Sequence, residues 1–144
     1  MFGNDRTQLR QQFFDVWQKM QQNAILTPLE SQIANVINQH KEYTAIFSNA
    51  EANLNKDYFP ELGDTNPFLH MSLHIALQEQ LSTNRPFGIV NLYQQAVKQK
   101  KSEHDAQHCL MNALAESMWQ AQQQQRQPTD QEYLDLVKRQ LNIS

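Results

Sequence analysis

Helix-start signals at four separate points constrain this chain more than any other feature. Thr27-Pro28-Leu29-Glu30 reads as a capping box with proline at the first helical position. Thr129 followed by Glu132 is a second box, and Ser102 followed by Asp105 is a related pattern. Asn66-Pro67 marks a fourth start. Three glycines and five prolines in 144 residues are too few for a turn-rich β fold. The expectation is an all-α chain, with residues 1–144 forming a single domain, a helical bundle of about six or seven helices.

The apolar spacing fills in the elements. Residues 6–22 place Leu9, Phe13, Val16, Trp17 and Met20 on one side at helical period. A second helix carries Leu29, Ile33, Val36 and Ile37 to about Gln39, and a short segment follows at 41–47. A helix from Pro67 to about Leu81 comes next, then one over 85–100 with Ile89, Leu92, Tyr93 and Ala96 inward. Another runs from Ser102 to about Gln123, and a last one holds Tyr133, Leu134, Val137 and Leu141. No stretch alternates like a strand. Residues 48–66 read as one long acidic and aromatic loop, and 123–128 as a short polar linker.

Composition excludes several classes of function. Net charge is −3, so no nucleic-acid footprint is expected, and "KQKKS" at 98–102 suits a helix C-terminus. A mean hydropathy of −0.71 beside 40% apolar residues points to apolar stripes with Gln-rich polar faces. No run approaches the ~18 apolar residues of a membrane span, and the first residues lack the apolar core of a signal peptide. Cys109 is the one cysteine, which forbids an intramolecular disulfide. The expected location is cytoplasmic, with no membrane association.

Four of the five histidines fall into two pairs spaced four apart, His70/His74 and His104/His108. Residues at that spacing stack on one helix face. With His70 at zero and ~100° per residue, His74, Leu77 and Leu81 lie within ~40°, which turns the first pair inward. The same wheel places His108, Met111, Ala115 and Met118 beside His104, so the second pair also reads as inward. Short loops make the helices that carry the pairs parallel, with their N-terminal ends level. Four imidazoles then converge on one divalent transition-metal ion, Zn, Fe, Ni or Cu. Asp64, Asp105 and Glu116 are candidate additional carboxylates. A dinuclear carboxylate site is poorly matched, because only Asp105 precedes a paired histidine by three.

If such an ion is catalytic, its chemistry is metal-activated water attacking an ester, amide or phosphoester. Two other readings stay open. One is a non-catalytic interaction module whose histidines build a polar core, with Phe2, Tyr58, Phe59 and the Gln-rich faces meeting a protein partner or a second copy. The other is an anion site at helix N-termini. His40 follows a helix, where a cation suits the dipole, and reads as structural. Cys109 sits roughly 100° from the second pair and reads as neither ligand nor nucleophile.

The segments "RQQFFDVWQK", "LTPLE", "NPFLHMSLHIALQEQ", "RPFGI" and "HDAQHCLMNALAESMWQAQ" together resemble the bacterial family called domain of unknown function 1841. The resemblance covers nearly the whole chain, and NPFLH is its most specific part. It implies a small bacterial cytoplasmic protein and supplies no substrate.

Overall fold

The computed structural model describes residues 2–58 and 66–143, with side chains from residue 7 onward. The fold is all-α. Its α-helices are α1 (Phe2–Gln21), α2 (Pro28–Gln39), α3 (Thr44–Phe47), α4 (Ala50–Asn53), α5 (Pro67–Thr83), α6 (Ile89–Lys100), α7 (Glu103–Gln123) and α8 (Asp130–Gln140), with a 3-10 turn at Lys41–Tyr43. No described helix is long and apolar enough to cross a membrane. Two compact units divide the chain, 1–75 and 76–144, and the boundary falls inside α5.

The first unit is organised by aromatic packing. Phe13 and Phe14 on α1, Phe47 on α3 and Phe68 in the first turn of α5 are buried with Ile33, Val36, Ile37 and Met71. The Phe68 ring lies 5.9 Å from Phe13, 5.8 Å from Phe14 and 6.2 Å from Phe47. Edge-on and tilted contacts at these separations add to what area burial supplies. The inward face of α1 differs from the hydrophobic reading. Leu9 is 40% exposed, while Arg10 beside it is 1% exposed. Arg10 donates to the carbonyls of Asn53, Leu54 and Lys56, and its guanidinium lies 5.0 Å from the Phe68 ring centroid. A planar, multi-donor cation is suited to this task, because it stacks on a ring while satisfying carbonyls at the end of a short helix. Those carbonyls close α4, which interrupts the expected 48–66 loop; Asn49 caps it through Ala52 N–H.

In the second unit α7 packs against both α6 and α8. The α6 helix starts at Ile89, four residues later than its apolar spacing suggests. Asn84 accepts hydrogen bonds from the N–H groups of Gly88 and Val90, and Gly88 turns the chain at φ 98°, where a side chain is disfavoured. The basic cluster lies where the dipole favours it, with Lys98 and Lys100 in the last turn of α6. Tyr133 is buried on α8 and donates to Gln80 Oε1 at 2.7 Å.

Both anticipated threonine boxes are complete, at Thr27/Glu30 and Thr129/Glu132. Glu132 also pairs with Arg126, and Arg126 followed by Thr129 holds its carboxyl down at about 2. A depressed carboxyl contributes stability that is present above its unfolded value of 4.5 and is lost as pH falls through about 2. The start of α8 should therefore stay capped at pH 4 and fray below pH 3. An NMR titration of the Glu132 carboxyl should find its midpoint near 2, and a midpoint at 4 or above would show that the Arg126 pairing does not persist in solution.

Candidate metal centre

Three histidines of the first unit form a compact group. His40 is the residue that ends α2, while His70 and His74 stand one turn apart on α5. One ligand atom from each lies within 4.8 Å of the others. The ring centroids are 5.0 Å apart for His40–His70, 4.8 Å for His40–His74 and 4.8 Å for His70–His74. His40 is 6% exposed and His74 4%, with His70 half-buried at the rim.

Local structure explains each position. The last carbonyls of a helix have no partner within it. Val36 O is one of these, and His40 Nδ1 lies 2.8 Å from it. A carbonyl only accepts, so Nδ1 carries the proton and donates. Neutral His40 then holds its lone pair on Nε2, as a metal ligand requires. Metal-binding histidines almost always anchor the second ring nitrogen in this way. The 3-10 turn lays Tyr43 parallel to His40, with centroids 5.5 Å apart and planes 4° from parallel. Burial first, then the charges of Glu42 and Tyr58, pushes the Tyr43 phenol up, so it stays protonated at neutral pH. On α5, Asn66 Oδ1 accepts from Phe68 and Leu69 N–H, which fixes the first turn. Phe68 and Met71 bury that face of the helix and carry His74 in with them.

The donor set suits a borderline transition-metal ion. Imidazole bonds to zinc are ~2.0–2.1 Å and the tetrahedral angle puts neighbouring nitrogens ~3.4 Å apart. Ligand atoms within 4.8 Å need a closure of about an ångström or a little more, the scale of a small ring rotation. Among the described residues the group contains no carboxylate.

The family model described as Domain of unknown function (DUF1841) matches residues 5–139. The chain belongs to that family. No curated protein and no solved structure matches it. Within this DUF1841 chain, the matched span includes all five histidines.

Of the sequence-derived ligand set, His70 and His74 lie in the first unit, and His40, which the sequence reads as structural, lies close to both. His104 and His108 belong to the second unit, where their rings are 4.1 Å apart on the first turns of α7. The expected inward orientation of that second pair is corrected: His104 is exposed and His108 half-buried. The buried face of α7 is centred on Ala106, Leu110, Ala113, Ser117 and Ala121. Small residues let α6 and α8 approach closely, and a hydrophobicity wheel gives them too little weight. Met118 is likewise exposed.

The candidate carboxylates divide similarly. Asp105 and Glu116 are exposed on α7. Asp64, Phe59 and the side chain of Phe2 lie outside the described residues. Sequence reasoning missed His40 because it is separated from His70 by thirty positions, beyond any helical spacing rule. The available signal was its place at a helix end, where an orphan carbonyl waits for a donor.

Proposed function

We propose that this protein binds one divalent transition-metal ion, Zn, Fe, Ni or Cu, through His40, His70 and His74. The observation that carries the reading is the triad itself: three clustered imidazoles, one with its tautomer set by Val36 O for an Nε2 ligand. His104 and His108, the other members of the sequence-derived ligand set, take no part in this three-histidine centre. Three protein ligands leave coordination positions for water or substrate, and metal-bound water attacking an ester, amide or phosphoester is the chemistry such a centre supplies.

A second reading makes the protein a non-catalytic interaction module with a histidine polar core. It is favoured by Phe87 and Trp119, the latter 60% exposed, and by the stacking of Tyr43 on His40. Elemental analysis separates the two. Untagged protein is expected to carry near-stoichiometric Zn, Fe, Ni or Cu after dialysis, and His40→Ala should lose at least nine-tenths of it. A wild-type protein that folds fully and retains no metal, even after reloading with each of these ions, would leave the polar core as the better account.

A further inference from the structure

We propose that His104 and His108 form a second, separate metal site, an exchangeable two-histidine chelate for Cu(II), Ni(II) or Zn(II) on the surface of α7. The inference does not rest on the His40 triad. Residues four apart on a helix carry their side chains along one line, and here the two imidazoles are 4.1 Å apart between centroids and tilted by 60°. An ion with ~2.0–2.1 Å bonds to two adjacent positions needs ligand nitrogens ~3 Å apart. Rings this close reach that spacing by rotation about their own side-chain bonds, with the helix backbone unchanged.

The exposure of His104 favours solvent ions over a packing role for that ring. Ala106, Leu110, Ala113 and Ser117 are buried on the far side of α7, while Met111 is buried on the pair's own side and His108 Nε2 is covered, so the ion enters from the His104 side. His104 is exposed, and His108 borders a surface cavity of about 490 Å³ with Lys100, Asp105, Cys109, Asn112 and Gln140. That volume accepts an ion with its remaining waters. Helix N-termini repel cations, and Glu103 and Asp105 in the same first turn offset that field, while Lys100 opposes them. Cys109 is not a third ligand. Its Sγ donates to Gln140 Oε1 at 3.2 Å, and burial pushes its thiol up, with Lys100 pulling it partly back. Two protein ligands and open water positions make a weaker, faster-exchanging site than three buried histidines. The Irving–Williams order places Cu(II) first among its ions.

The test uses the full chain with the metal alone. Equilibrium dialysis against Ni(II) should find two ions per chain. His104→Gln, a change at an exposed position, should weaken binding of the second ion at least tenfold with the circular dichroism spectrum unchanged. His74→Ala should leave that second ion in place. As an independent readout, substoichiometric Cu(II) added to wild type should broaden the ring-proton resonances of both His104 and His108. One bound ion that is sensitive only to His104→Gln would uphold this site and count against the triad. Unchanged Ni(II) binding in His104→Gln, loss of the second ion in His74→Ala, or sharp His104 and His108 signals under excess Cu(II) would each overturn it.

Discussion

Replacing Phe68 with alanine is expected to destabilise the first unit by ~3–5 kcal/mol, the range for a fully buried phenylalanine. Phe68 is 1% exposed and touches the rings of Phe13, Phe14 and Phe47. Its removal leaves a cavity among three rings that cannot all collapse into it, and it strips the aromatic surface from beneath Arg10. Urea unfolding monitored by tryptophan fluorescence measures the loss, since Trp17 stacks on Phe47 in the same cluster. A cost below ~1 kcal/mol would mean that Phe68 is not central to that packing.

The second large effect couples metal to folding. An ion that binds only the folded chain adds ~2.7 kcal/mol when present at a hundred times its dissociation constant. For a chain of this size each kcal/mol moves the melting temperature by ~2–4 °C, so added Zn(II) should raise it by ~5–11 °C. His74→Ala should abolish most of that rise, because His74 is a buried member of the histidine triad, inside α5 and away from the Asn66 cap. If the histidines instead form only a polar core, the same change costs ~1–3 kcal/mol equally with chelator and with metal. Melting curves of both proteins under both conditions decide between these outcomes.

Much of the helical framework is legible in the residues, because capping is local chemistry. The Thr27/Glu30 and Thr129/Glu132 boxes start α2 and α8 where their side chains meet their own backbone. Ser102 likewise caps α7 by accepting from Asp105 N–H. Less legible is any choice made by packing between elements. Arg10 is buried because α4 and Phe68 supply its partners from more than forty positions away. Leu29 looks apolar and inward, yet it is exposed at the first turn of α2. The inward side of α7 mixes Leu110 and Met111 with small residues, Ala106, Ala113, Ser117 and Ala121, which a hydrophobicity wheel weights too little, so the wheel turns His104 and Met118 inward although both are exposed. The candidate site follows the same division. The His70/His74 spacing is a local signal, whereas His40 is brought to it only by the packing of the end of α2 on the start of α5.

X-ray absorption spectroscopy of protein loaded with one equivalent of Zn(II), in a His104→Gln background, tests the central claim most directly. The expected spectrum shows three imidazole ligands at ~2.0–2.1 Å, falling to two or fewer in His40→Ala. A zinc environment of water and carboxylate oxygens, unchanged by His40→Ala, would contradict a centre built from His40, His70 and His74.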